Sequence, residues 1–227
     1  MLISMTSTPP APTNDTRDRI LDAAERLFVE NGFDGTSMRM ITGAANANLA
    51  AINYHFGGKD ALVQEVFRRR LAALNARRLD ELDRLEAEAA GAPLKPSRIV
   101  EAFFGTALEL AADTEHGGRT FMRLLARTYT EPNAFVRQFL AEEYAEVMDR
   151  FLGALFRALP EVPRAEILWR FHFMIGAMAF AIAGLGGLSE LMEVGPQDED
   201  PARLLPRLMS FLLGGLRAPL PDGGLQG

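Results

Sequence analysis

Apolar residues in this chain recur at three- and four-residue intervals, and no stretch alternates apolar with polar over a strand's length. That pattern confines the fold to packed helices. Between Asp15 and Asn31, the residues Ile20, Ala23, Ala24, Leu27 and Phe28 fall on one helix face. Asp15 or Thr16 suits the N-cap, Asp18 suits the positive end of the helix dipole, and Gly32 offers a left-handed stop. A second helix is expected from Thr36 or Ser37 to about Ala45, with Met38 and Ile41 inward. Asn46-Ala47-Asn48 then breaks the period, and Asn46 tolerates the left-handed conformation that a sharp turn needs. A third helix, about Leu49 to Phe56, ends at Gly57-Gly58. Two short helices joined by so tight a turn make a helix-turn-helix.

From Lys59 or Asp60 a long helix is expected to about Ala89, carried by Leu62, Val66, Leu71, Leu74, Leu82 and Leu85. At about 1.5 Å per residue it extends some 45 Å. Its charges, Arg68-Arg69-Arg70 and Arg77-Arg78 among Glu81, Asp83 and Glu86, read as a solvated face. Further helices are expected near 97–112, 118–129, 133–158, 164–190 and 201–217, punctuated by Pro132, Pro160, Pro163, Pro196 and Pro201. The expectation is an all-α protein. Residues 15–60 form a three-helix DNA-binding unit, and 61–218 a larger helical domain. Residues 1–14 read as a disordered arm, with Met5 as a second candidate start, and 219–227 as a disordered tail.

The formal charge of −6 excludes a protein that coats nucleic acid through bulk charge. Locally the balance reverses. Between Thr36 and Lys59 there is no Asp or Glu, while Arg39 and Lys59 are present. A surface that meets phosphates must exclude carboxylates. Asn48, Asn53, Tyr54 and His55 cluster on and around the third helix with Ala50 and Ala51. Asn forms paired hydrogen bonds to adenine in the major groove, and Ala packs on a thymine methyl. Lys59 opens the next helix, where free N–H groups also suit a phosphate. Each of these residues has a structural reading beside this one: Tyr54 and Phe56 as core, His55 as a helix cap, Arg39 as an ordinary surface charge.

Enzymatic chemistry finds no support. The chain has no Cys, which removes thiolate nucleophiles and Cys-containing zinc sites. There is no GxSxG, no phosphate-binding Gly-rich loop and no HExxH, and nothing calls for a cofactor or a metal. His55, His116 and His172 are dispersed, and the neighbours Glu142 and Glu143 point to different helix faces. The absence of a basic and apolar leader makes the cytoplasm the expected location. From Phe171 to Leu188 eighteen residues carry no formal charge, the lower limit for a membrane span. Gly176, Gly184, Gly186 and Gly187 interrupt that run, and Arg170 stands at its edge. A helix apolar all round equally suits a bundle centre or a dimer seam, so no membrane is expected. The remaining alternative is a helical interaction or membrane-peripheral module that never touches DNA. Such a module has no need of a carboxylate-free stretch.

Arg19-Ile20-Leu21-Asp22-Ala23-Ala24 through Phe28, Asn31-Gly32-Phe33, Thr36-Ser37-Met38-Arg39 and Ile52-Asn53-Tyr54-His55-Phe56-Gly57-Gly58-Lys59-Asp60-Ala61-Leu62 follow one another in order. Over about residues 15–65 the chain resembles the tetracycline-repressor (TetR) family, departing at Asn46, where the family usually has Gly. The resemblance implies a dimeric transcriptional repressor on a palindromic double-stranded operator. It implies phosphate contacts from Ser37 and Arg39, and base contacts from Asn48, Leu49, Ala50, Ala51 and Asn53. Tyr54, His55 and Lys59 would hold the DNA backbone. Two recognition helices would enter successive major grooves, roughly 34 Å apart.

In the second half, Phe121-Met122-Arg123-Leu124-Leu125 and Leu168-Trp169-Arg170-Phe171-His172-Phe173-Met174 with Gly176-Ala177, together with Asn48-Leu49-Ala50-Ala51, look like the fatty-acid-responsive members of that family. This implies a small apolar effector, a fatty acid or acyl thioester. Phe103, Phe104, Phe121, Met122, Leu125, Phe171, Met174 and Met178 supply an apolar inventory that suits such a ligand or a plain core. Arg123 and His172 could orient a carboxylate or carbonyl, or could serve as a helix-face ion pair and a packed histidine. Ala179, Ala183 and Gly187, at four-residue spacing, allow a second helix to approach closely. With the 201–217 helix and its Leu204, Leu205, Leu208, Phe211 and Leu212, the 164–190 helix would form the family's four-helix homodimer seam.

Overall fold

The structure is a computed structural model that describes residues 14–129, 133–183 and 201–220. The expected N-terminal arm before Asn14, the stretch holding Gly184, Gly186 and Gly187, and the tail from Pro221 lie outside the described residues, which contain no strand. The chain forms two compact units that divide within one long helix, between Val66 and Phe67.

In the first unit, α1 spans Asn14–Gly35, with its helical geometry broken at Gly32 (φ 76°, ψ 171°) where the stop was expected. Phe33 folds back against Phe28, ring centroids 5.4 Å apart. Thr36 is fully buried, and its hydroxyl donates to the Gly32 carbonyl at 2.7 Å and lies 3.0 Å from the Leu27 carbonyl. This one side chain satisfies carbonyls that the end of α1 leaves open. Thr36→Val keeps the shape and removes the donor. It is expected to destabilise the protein by about 1–3 kcal/mol, read as a lower denaturation midpoint with an unchanged slope.

α2, Met38–Ala44, is capped by Ser37, whose Oγ accepts from the Met40 N–H. Asn46 makes the turn in the left-handed region (φ 47°), as its residue type allows. α3, Leu49–Phe56, is capped by Asn48 and stopped by a left-handed Gly57 (φ 77°). Ile20, Leu21, Phe28, Ile41, Ile52 and Phe56 form the buried centre. α4, Lys59–Ala89, contributes Leu62, Val63 and Val66 to the same buried set.

In the second unit, α4 continues with Leu71, Leu74, Leu82 and Leu85 buried. Next come α5, Pro96–Val100, a π-helical turn at Glu101–Gly105, and α6, Thr106–Ala112. One uninterrupted helix was expected there. Helices α7, Gly118–Thr128, α8, Ala134–Ala158, α9, Arg164–Ala183, and α10, Pro201–Leu216, complete the unit. α7 packs on α6 and α9, and α10 packs on α9, α6 and the π turn. Phe103, in the π turn, meets Phe104, Phe151 and Phe171 with ring centroids 4.9, 5.2 and 4.9 Å away. Arg170 is buried, donating through Nε to Glu166 at 2.8 Å and through Nη1 to the Leu216 carbonyl at 2.7 Å. One side chain thus ties α9 to the end of α10.

The expectation of a solvated charged face on α4 needs one correction. Arg78 is buried, because it falls on the stripe of Leu71, Leu74, Leu82 and Leu85.

Candidate nucleic-acid interface

The expected DNA-facing residues separate by what their side chains are already doing. On α3, Leu49, Ala50, Asn53 and Tyr54 are exposed, the last at 75%. Ile52 and Phe56 point inward, and helical spacing places Ala50, Asn53 and Tyr54 on the opposite side. Ala51 does not belong to that surface. It is buried at 8% exposure and packs into the first unit, so it is not positioned for a thymine methyl.

Asn48 is exposed, but its Oδ1 accepts from the Ala51 N–H at 2.7 Å. A paired contact to adenine needs both the oxygen and the amide nitrogen of one Asn. The cap therefore leaves Asn53, whose side chain stands free on the exposed face, as the better placed of the two. Ser37 keeps a hydroxyl proton to donate while its Oγ caps α2, which suits a phosphate. Arg39 is exposed on the first turn of α2, and Lys59 is half-buried as the first residue of α4. His55 is half-buried, and its Nε2 is enclosed with no hydrogen-bond partner among the described residues.

Of the residues expected to hold an effector, Phe103, Phe121, Met122, Leu125, Phe171, Met174 and Met178 are all buried in the second unit. Phe103 and Phe171 touch, while Phe121 packs edge-on against Phe67 at 6.2 Å. Arg123 and His172 are exposed and are not brought to that cluster. Arg123 lies across α7 from Phe121, Met122 and Leu125. His172 shares the outer face of α9 with Trp169 and Phe173. Along that face Leu168, Trp169, Phe173 and Phe180 are 46, 55, 63 and 58% exposed, and Phe211 of α10 is 68% exposed. Trp169, Phe173, Gly176 and Phe180 follow the four-three-four spacing of a helix–helix seam.

Residues 101–215 match the family model described as "Tetracyclin repressor-like, C-terminal domain", and residues 20–66 match "Bacterial regulatory proteins, tetR family". The chain belongs to the TetR family. It is therefore a DNA-binding transcriptional regulator and not an enzyme, of a family whose members dimerise on operator DNA and bind small-molecule effectors. Among curated relatives it is 29% identical to the transcriptional repressor BepR of Brucella suis over 92% of this chain and 95% of that one. It is 28% identical to the repressor KstR2 of Rhodococcus jostii, over 65% and 70%. The probable regulator YttP of Bacillus subtilis is 43% identical, but the match spans 25% of that protein's length.

The fold is similar to that of FadR from Bacillus subtilis in complex with stearoyl-CoA, with a TM-score of 0.62 at 16% identity, covering 88% of this chain and 98% of that one. A SmeT–triclosan complex gives 0.58 at 20%, covering 91% and 99%. At these identities the likeness is one of fold.

Proposed function

We propose that this TetR-family regulator is a homodimeric repressor that reads a palindromic operator through α3 and leaves it when a small apolar effector binds the second unit. The observation that carries the DNA-reading part is the exposed set Ser37, Arg39, Leu49, Ala50, Asn53 and Tyr54, with the half-buried Lys59 beside it, on a stretch free of carboxylates. Ser37, Arg39, Tyr54, His55 and Lys59 meet phosphates, and Asn53, with Leu49 and Ala50, faces bases. The outer faces of α9 and α10 form the homodimer seam. α9 is long and apolar enough, by length and composition, to cross a membrane. A partner subunit on its exposed aromatic row accounts for that character without a bilayer.

A fatty acid or acyl thioester is the effector class supported by two features. One is the buried apolar inventory around Phe103, Phe171, Met174 and Met178. The other is the fold likeness to a regulator holding stearoyl-CoA. Effector and operator then oppose each other reciprocally, by a coupling of about 1–3 kcal/mol.

Selection of bound duplexes from a random pool by the purified protein tests this reading, with salt titration on the enriched sequence. A palindrome with steep salt dependence is the expected result, and no enrichment at low salt, with or without fatty acids present, would remove it. On the selected operator, Asn53→Ala is expected to cost about 1–3 kcal/mol at one base step and to relax discrimination there. Lys59→Ala should weaken all sequences alike and flatten the salt slope by about one unit. An equal loss on every sequence would take Asn53 out of the base-reading set.

A further inference from the structure

Neighbouring arginines on α4 have carboxylate partners: Arg77 meets Glu109 at 2.6 Å, and Arg84 bridges Glu81 and Glu88. Arg78 is different. It is 1% exposed, the bulkiest fully buried side chain among the described residues. Nε donates to the Phe103 carbonyl at 3.0 Å and Nη1 to Asn75 Oδ1 at 3.3 Å. Its guanidinium carbon lies 3.9 Å from the centre of the Phe103 ring and 5.8 Å from that of Tyr144. Burial pushes the Tyr144 phenol up, so that group stays neutral and supplies no counter-charge. Every one of these partners is uncharged. Aromatic faces and neutral acceptors offset part of the cost of burying a cation, but an ion out of water calls for an opposite charge.

The surroundings also hold the guanidinium in place. Asn75 Nδ2 donates to the Glu143 carbonyl at 3.1 Å, which leaves Oδ1 facing Arg78. The Phe103 carbonyl belongs to the π turn, and Thr106 Oγ1 donates to it at 3.1 Å. π turns inside helices recur at functional sites. Phe103 then continues into the rings of Phe104, Phe151 and Phe171. A fixed cation therefore stands at one edge of an apolar aromatic cluster.

We infer that Arg78 is the anion anchor of the effector site, taking the carboxylate of an amphiphilic organic acid whose apolar body lies against the Phe103 cluster. The inference rests on the effector-responsive reading above and narrows it to free carboxylic acids over esters and thioesters. A carboxylate brings the missing charge and accepts paired N–H bonds from the planar fork. An ester or thioester carbonyl brings no charge.

The test uses the full chain and titration calorimetry with octanoate, hexadecanoate and phenylacetate, each beside its methyl ester, and with hexadecanoyl-CoA. The protein should bind at least one acid tenfold or more tightly than its ester. Arg78→Met should abolish that preference by weakening the acid tenfold or more, with ester affinity unchanged, while Arg78→Lys retains part of it. Without ligand, Arg78→Met should melt at the same or a higher temperature, since an uncompensated buried charge is gone; a purely structural arginine predicts the reverse. Equal binding of acid and ester, or an acid preference unchanged in Arg78→Met, overturns the anchor and leaves the apolar-effector reading standing. Binding of none of the ligands by a protein that still holds its operator overturns the effector reading and the anchor with it.

Discussion

A variant carrying Trp169→Glu and Phe173→Glu is expected to sediment as a monomer and to lose operator binding at concentrations where the unsubstituted protein is saturated. The two rings stack at 5.7 Å on the outer face of α9 and are more than half exposed in the isolated protomer. Buried aromatic anchors at an interface contribute about 2 kcal/mol or more each. Both subunits carry the change, so a two-fold seam loses four such anchors, about 8 kcal/mol or more than a hundred-thousandfold in dimer affinity, before the repulsion between facing glutamates is added. A palindromic operator needs both half-sites held at one spacing, so affinity for the full site should collapse while a single half-site binds as weakly as before. Because both side chains point out of the protomer, helix content by circular dichroism should be unchanged. A variant that remains dimeric, with full operator affinity, would remove α9 from the seam.

Arg170→Met is expected to lower stability by about 3–5 kcal/mol, seen as a large drop in the denaturation midpoint at constant protein concentration. The guanidinium holds Glu166 on its own helix and the Leu216 carbonyl at the end of α10, and the Nη2 group lies 3.4 Å from the Pro219 carbonyl. Its removal leaves a largely buried carboxylate without a counter-ion and a helix end without its donor. The companion change Glu166→Gln with Arg170→Met should recover a good part of the loss, since the stranded charge is then absent too. If the double variant is no more stable than Arg170→Met alone, the ion pair is not the source of the effect.

Trp169 and Phe173 stand four apart across Arg170, at the edge of the uncharged stretch that begins at Phe171, and the choice between a bilayer, a bundle centre and a seam turns on where their faces point. Gly32, Asn46 and Gly57 were readable as stops and turns because their backbone preferences are local, and each adopts the positive φ its residue type permits. Ser37 was readable as a cap for the same reason. Thr36 was not fully readable, because the carbonyls it serves belong to the helix before it.

The candidate interface was legible in composition and only partly in assignment. The carboxylate-free stretch follows from counting, but the family resemblance counts Ala51 and Asn48 among the base readers, and the fold of this chain gives both another task. Helical spacing separates Ala51 from Ala50 by about 100°, and the cap uses the Asn48 oxygen. Arg78 continues the stripe of Leu71, Leu74, Leu82 and Leu85, and only its charge, beside Arg77, argues for a place in solvent.

Local chain chemistry thus sufficed for the all-helical class, the helix-turn-helix and the carboxylate-free reading surface, because periodicity, capping and backbone preference act within a few residues. Folding in three dimensions decided which arginines are buried, which histidine is not beside the aromatic cluster, and where a helix opens into a π turn. Those outcomes depend on α4, α6, α8 and α9 meeting across dozens of residues, where burial and electrostatics belong to the packed assembly and not to any segment of it.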